Sequence, residues 1–254
     1  MEIGYHVRGM GEVHDRTILL PVRPAVAWVE TAGVTPERDW TPPESGRWTA
    51  RTFDSPLGEL ESALRWLADY PHGCLEQTSS RMFPLVCAGG LLNSVATNGA
   101  DVVAAGVRRV ESMVRANDFV MWPDCTYAPW DREVSLYAAH FLVEAERGGW
   151  KLGPEPRERV MGFLKKWAMS TNTAVSAYAC HTLALAGTPE RDRMLRLYDA
   201  AAGLSLLSRA RLARAFARSH DRSRAEALLK NAASPASVKE AAFALVALDR
   251  KSVV

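Results

Sequence analysis

Ser135-Leu-Tyr-Ala-Ala-His-Phe-Leu142 recurs as Ser176-Ala-Tyr-Ala-Cys-His-Thr-Leu183, a shift of 176 − 135 = 41 residues. Weaker copies of the pattern occur at 210–217 and 241–248. A repeat of this length holds two helices, and small alanines on one face let neighbouring helices pack closely. The chain is therefore predicted to be mainly α-helical, with stacked helical hairpins that either run open as a solenoid or close into an α/α toroid.

Helical spacing of apolar residues begins after Pro56 and continues through the rest of the chain. Glycine and proline pairs such as Gly148-Gly149 and Ser234-Pro235 separate the apolar segments. The predicted helices lie at roughly 57–69, 77–97, 101–116, 131–147, 155–169, 171–186, 189–199, 203–218, 221–231 and 236–248.

The N-terminal part has a different pattern. The segment 16–24 has the sequence Arg-Thr-Ile-Leu-Leu-Pro-Val-Arg-Pro, which predicts a β-strand that prolines end. We therefore expect a short β segment at 1–50 and a helical domain at 51–254.

Composition and charge are those of a globular protein. A chain of 254 residues that is 48% apolar can bury a large core, and its net charge of +2 gives no reason to expect a nucleic-acid partner. No apolar run reaches the length of a membrane span, and the first residues do not form a signal-peptide pattern. No Cys or His spacing matches a metal site, so neither a metal nor another cofactor is expected.

A second informative stretch is Tyr70-Pro-His-Gly-Cys-Leu-Glu-Gln77. Its cysteine and glutamine are three positions apart, and the Cys74 sulfur can attack the Gln77 carboxamide, expel ammonia and leave an internal thioester. Pro71 and Gly73 bend the backbone before the cysteine, and Gly73 can adopt a positive φ. Such a thioester would be an electrophile that attaches itself to the first nucleophile to reach it.

The same residues predict the start of a helix near Gln77. The apolar run that follows Ser80 continues the helical pattern. Unpaired N–H groups and the positive end of the helix dipole would stabilise a thiolate at Cys74 and negative charge on the acyl oxygen under attack. The plainer alternative is a buried cysteine at a helix start that never reacts with Gln77.

The stretch 70–77 resembles the alpha-2-macroglobulin and complement family, especially its bacterial members. Ser55-Pro56 before it and Phe83-Pro84-Leu85 after it fit the same pattern. The resemblance implies a thioester-containing α/α toroid at 51–254 that is truncated at its C-terminus. It also implies that 1–50 is part of a split CUB-like β domain, and that the parent protein is much longer.

The resemblance further implies a broad-spectrum protease inhibitor and not an enzyme. Such a protein would couple Gln77 to lysine amines of target endopeptidases, its covalent partners. The remaining domains of the parent chain would be its other partners, and the expected location is the periplasm or the cell surface.

A stored thioester must be kept from water, so shielding groups are expected near it. Tyr70 and Met82 flank the motif. The segment 121–130, Met-Trp-Pro-Asp-Cys-Thr-Tyr-Ala-Pro-Trp, resembles the family's W-P-G-G…P-W loop and offers Trp122, Tyr127 and Trp130. The alternative for the two tryptophans is packing on their own hairpin. Within the motif, Gly73 and Glu76 are the candidate supporting residues.

Other functions remain open at this stage. An α/α-toroid carbohydrate-active enzyme would need two acids, for which Asp124, Asp131 and Glu133 are candidates. A helical scaffold without a thioester is the third option. His140 and His181 occupy equivalent repeat positions, which favours a structural role for both. Cys87 and Cys180 lie on apolar helical faces and are predicted to be buried thiols, whereas His72 within the motif is either a thioester contact or an exposed turn residue.

Overall fold

The computed structural model describes residues 2–9, 12–19, 60–69, 73–89 and 98–230. Two compact units divide the chain, Met1–Thr52 and Phe53–Val254. The predicted helix at 236–248 and most of the predicted β segment lie outside the described residues.

The first unit contains an antiparallel pair of strands, β1 (Glu2–Gly9) and β2 (Glu12–Leu19). Their register runs from Glu2 opposite Leu19 to Gly9 opposite Glu12. These two strands lie in the part of the chain for which β structure is predicted, but β2 starts before the predicted strand at 16–24, and residues 20–24 lie outside the described part. The assignment of this part to a split CUB-like domain stays a prediction.

The described part of the second unit contains nine α-helices and a short 3₁₀-helix at Ala201–Gly203. The α-helices are α1 (Glu61–Asp69), α2 (Leu75–Cys87), α3 (Gly99–Glu111), α4 (Arg132–Arg147), α5 (Pro154–Ala168), α6 (Thr173–Leu185), α7 (Arg191–Asp199), α8 (Leu206–Arg218) and α9 (Arg222–Leu229). In the part of the chain that is described, no helix is long and apolar enough to cross a bilayer.

Alternate helices pack against one another. Helix α2 contacts α4, α4 contacts α6, and α6 contacts α8, so these four form a continuous row. Helices α3, α5 and α7 pack beside the row and α9 packs on α8. This is the arrangement of stacked helical hairpins, which confirms the mainly α architecture. Closure of the stack into a toroid stays a prediction.

The sequence repeat explains the centre of the row. Helix α6 is buried on every side from Ser176 to Leu185, and a helix that is apolar all round belongs in a core. The alanines Ala139 on α4 and Ala177 on α6 are fully buried. Small side chains at these positions let the helix backbones approach closely, which is why the alanine-rich repeat marks neighbouring helices.

Helix α2 differs from its prediction at both ends. It begins at Leu75, two residues before the expected start. It continues past Pro84 and ends at Cys87. Residues 90–97, where the prediction continued the helix, lie outside the described part. The earlier start matters because it makes Cys74 the N-cap residue.

Packing of α2 against α3 requires a glycine. Met82 is 1% exposed, and a Cβ built on Gly106 of α3 would overlap the Met82 side chain. Gly162, in the interior of α5, has open space around its own Cβ position. The two glycines therefore form a matched pair for testing this contact.

We expect Gly162→Ala to raise the free energy of unfolding by up to about 1 kcal/mol, because alanine is the better helix former. Gly106→Ala should instead lower it, because overpacking of about 1–3 kcal/mol outweighs the same propensity gain. Chemical denaturation of both variants measures the difference. Equal stabilisation by the two substitutions would show that Met82 does not need the space at Gly106.

Candidate functional site

The N-terminus of α2 is closed by a reciprocal pair of hydrogen bonds between Cys74 and Gln77. Cys74 is the N-cap residue, with φ −70° and ψ 172°, and its Sγ accepts from the Gln77 backbone N–H at 3.4 Å. The Cys74 backbone N–H donates in turn to Gln77 Oε1 at 3.3 Å. This is a capping box in which cysteine occupies the position that serine or threonine usually holds.

The capping box brings together the two groups that thioester formation requires. Each side chain bends back to the backbone of the other residue, so the Cys74 sulfur and the Gln77 carboxamide share the first turn of α2. Cys74 is only 7% exposed and Leu75 is fully buried. The cysteine is thus held beside its predicted partner in a site that is largely closed to solvent.

A loop between α3 and α4 is attached to this first turn. The Leu75 N–H, one of the unpaired donors of the helix start, donates to the Met121 carbonyl at 2.9 Å. The loop is held by its own turn, because the Cys125 N–H donates to the Trp122 carbonyl at 3.2 Å and the Trp122 N–H donates to Cys125 Sγ at 3.2 Å. The Asp124-Cys125 pair therefore forms an ordered turn in place of the expected glycines.

Helix α3 supplies a second attachment from the other side. The Arg109 guanidinium donates through Nε and Nη2 to the Gly73 carbonyl, at 3.2 and 3.1 Å. Gly73 itself does not adopt the positive φ expected for it in the turn. Its backbone contributes through the carbonyl oxygen instead, so the expectation of a positive φ at Gly73 was wrong.

The candidate shielding residues differ in their environments. Met82 is a core residue packed against α3, whereas Trp122, Tyr127 and Trp130 are 40%, 60% and 89% exposed. The alternative prediction that Trp130 packs on its own hairpin is therefore wrong. Tyr70 and His72 lie outside the described residues.

The candidate acids have structural roles or face solvent. The Asp131 carboxylate caps α4 by accepting from the Glu133 N–H at 2.8 Å. Glu133 pairs through Oε1 with Arg211 Nη2 at 2.8 Å. Asp124 is exposed, as is Glu76 in the first turn of α2, where a carboxylate interacts favourably with the helix dipole.

The remaining cysteines divide between core and surface. Cys180 is buried as predicted, and burial raises the pKa of its thiol to about 12. Cys87 is exposed at the end of α2, so its predicted burial was wrong. The residue lies in the last turn of the helix, where Leu85 and Val86 are buried but Cys87 is not. Among the residues described, no group of His, Cys, Asp and Glu could hold a metal ion.

The two histidines of the sequence repeat lie next to each other, and His140 contacts α2 directly. His140 contacts the Phe83 ring of α2 edge-on, with ring centroids 4.8 Å apart, and its Nδ1 lies 3.2 Å from the Tyr178 hydroxyl. The ring centroids of His140 and His181 are 5.1 Å apart, and both residues are buried. Their equivalent positions place them where α4 and α6 meet, which agrees with the structural role predicted for them.

Sequence reasoning found Cys74 and Gln77 but missed Arg109 and the attachment at Met121. Arg109 lies 36 residues from Gly73 and Met121 lies 121 − 75 = 46 residues from Leu75. An exposed arginine in the last turn of a helix is explained equally well by the helix dipole, so no local signal distinguishes it.

Comparison with known proteins finds proteins that are similar to this chain. An alpha-2-macroglobulin from Thermotoga maritima is 28% identical over 137 residues, which are 54% of this chain and 8% of that protein. Salmonella alpha-2-macroglobulin reacted with methylamine superposes with a TM-score of 0.55 at 26% identity, covering 68% of this chain and 13% of that one. Trypsin-activated alpha-2-macroglobulin from Escherichia coli gives 0.53 at 23% identity, covering 63% and 12%. No protein-family model matches the chain.

The buried histidines make stability depend on pH. Burial, followed by the charge of Arg214, holds the pKa of His181 well below its usual 6.5, so His181 stays neutral in the folded protein. Below pH ~6.5 the unfolded chain takes up a proton that folded His181 does not, and stability falls by up to about 1.4 kcal/mol per pH unit. The loss continues down to the folded pKa.

We expect His181→Gln to reduce the drop in unfolding free energy between about pH 7.5 and about pH 5.5, measured by denaturant titration. His220→Gln, at an exposed position, is the matched control. A drop of the same size in all three proteins would show that His181 does not contribute to the pH dependence.

Proposed function

Because this chain belongs to the bacterial alpha-2-macroglobulin family, we propose that its helical unit is the thioester-containing domain of a broad-spectrum protease inhibitor. One observation carries the proposal, the Cys74–Gln77 capping box at the buried start of α2. It supplies a nucleophile, an acyl group and hydrogen-bond donors in a single helical turn.

Thioester formation follows from this arrangement. The Cys74 sulfur adds to the Gln77 side-chain carbonyl carbon, and negative charge develops on Oε1. The Cys74 backbone N–H already donates to that oxygen and would stabilise the charge as an oxyanion hole does. The C–N bond then breaks, and the amide nitrogen leaves as ammonia with the proton from the thiol.

Opening of the thioester reverses the roles of the two residues. An amine, such as a lysine of a target endopeptidase, adds to the same carbonyl carbon and forms an amide with Gln77. The C–S bond breaks, and the sulfur leaves with the proton from the amine, so that Cys74 becomes a free thiol. The acyl group is consumed in one event and is not regenerated, which makes the domain a covalent trap and not an enzyme.

Survival of the thioester depends on keeping water out. The low exposure of Cys74 and the loop attached at Met121 support protection within this domain. The exposed rings of Trp122, Tyr127 and Trp130 are suited to contact with the remaining domains of the parent chain, and Tyr70 stays a candidate cover.

Endopeptidases are the proposed targets. The Escherichia coli relative is activated by trypsin, which supports proteolysis as the trigger. The cleaved segment would lie elsewhere in the parent chain, since this chain spans 8% of the length of the Thermotoga relative. We expect the parent to act in the periplasm or at the cell surface, where foreign proteases arrive first.

The competing functions have less support. A carbohydrate-active enzyme would need free carboxylates, but Asp131 and Glu133 are engaged in a helix cap and an ion pair. A scaffold without a thioester would leave the cysteine version of the capping box without a purpose, because serine caps a helix at least as well. Reactivity towards methylamine separates the trap from both.

The intact mass of the purified chain tests the proposal. We expect a mass short by one ammonia, followed on treatment with methylamine by a gain at Gln77 and a free thiol at Cys74. Cys74→Ser keeps the helix cap but lacks the sulfur nucleophile, and Gln77→Glu keeps the capping oxygen but has no amide nitrogen to expel. Both variants should fold and show neither mass change.

An unmodified mass with free Cys74, in this chain and in the full-length parent protein, would contradict the proposal. The same mass deficit in Cys74→Ser would show that ammonia is lost at another site.

A further inference from the structure

We propose that Arg109 is a positioning residue for thioester formation and opening. It fixes the peptide unit between Gly73 and Cys74 so that the N–H of this unit points at Gln77 Oε1, the oxygen on which charge develops. This inference rests on the proposed thioester function and adds to it a residue from a different helix.

The contact with Arg109 is specific in geometry. Two donors of one planar guanidinium, Nε and Nη2, bind the single carbonyl oxygen of Gly73 at 3.2 and 3.1 Å. A charged donor makes a stronger hydrogen bond than a neutral one, and two donors restrict the direction of the carbonyl more than one. The orientation of this carbonyl is therefore set by α3.

The same peptide unit carries the donor to Gln77. A peptide bond is planar and trans, so the Gly73 carbonyl and the Cys74 N–H point in opposite directions and turn together. Holding the oxygen therefore aims the N–H, which donates to Gln77 Oε1 at 3.3 Å. Hydrogen bonds in a chain also polarise one another, so a cation on the oxygen makes the N–H a better donor.

This chain of contacts affects the reaction in both directions. Sulfur attack on the Gln77 carbonyl and amine attack on the thioester both place negative charge on the same oxygen. The donor to that oxygen is useful only if it is already oriented when charge appears. Arg109 therefore acts through the Cys74 N–H and does not touch the reacting atoms.

Arg108 provides a matched control on the same helix. It precedes Arg109 in the last turn of α3, is also exposed, and has the same helix propensity and interaction with the helix dipole. The buried residues of this turn are Val107 and Val110, so both arginines lie outside the core. Substitution of either should leave the packing of α3 unchanged.

The experiment compares Arg109→Ala, Arg109→Lys and Arg108→Ala in the full chain, with methylamine as the nucleophile. We expect Arg109→Ala to slow both ammonia loss during maturation and the reaction of the formed thioester, the latter on the order of tenfold. Arg109→Lys keeps the charge but not the paired donors and should fall between. Arg108→Ala should match the unsubstituted chain.

Two results would overturn the inference. The first is an unchanged methylamine rate constant in Arg109→Ala. The second is a faster reaction, which would mean that Arg109 only keeps the amine out. A thermal unfolding midpoint measured for each variant separates a loss of rate from a loss of folding.

Hydrogen exchange at the Cys74 amide provides a readout that does not need the thioester. Exchange should accelerate in Arg109→Ala and not in Arg108→Ala. If neither the unsubstituted chain nor the full-length parent protein loses ammonia and yet the exchange accelerates, the proposed function fails while the positioning of the peptide stands. Unchanged exchange in Arg109→Ala overturns the positioning.

Discussion

The pair of hydrogen bonds between Cys74 and Gln77 is the interaction on which the rest of this site depends. A helix start leaves backbone N–H groups without partners, and the Cys74 sulfur accepts from one of them. The Gln77 side chain returns the bond to the Cys74 N–H. An ordinary solution to a structural requirement thus places a thiol next to a carboxamide, which is the arrangement a Cys–Gln thioester needs.

Such a box holds its geometry only if α2 is held by the core. Helix α2 packs on α3 through Met82 at Gly106 and on α4 through Phe83 at His140. The loop at Met121 and the guanidinium of Arg109 then fix the two residues on either side of Cys74. The hairpin stack therefore supports this one helical turn, as the proposed storage of a thioester there would require.

Similarity to bacterial alpha-2-macroglobulins agrees with the proposal that the hairpin stack supports the first turn of α2. The proposed chemistry needs little from the protein beyond orientation, a donor to the acyl oxygen and exclusion of water. The buried histidines near α2 pack, and the acids Asp131 and Glu133 cap a helix or form an ion pair. The proposed trap would require no more, since it would not have to regenerate its acyl group.

The amino-acid sequence by itself determined the helical hairpins, the β character of the N-terminal part, and the identity and spacing of Cys74 and Gln77. Periodicity and a three-residue spacing are local properties, so both can be found without knowing which helices meet. Only the tertiary structure decided that Arg109 and Met121 hold the first turn of α2, and that Cys87 and Trp130 are exposed. Those outcomes depend on contacts between segments far apart in the chain, and the pattern around each residue does not specify its neighbour in space.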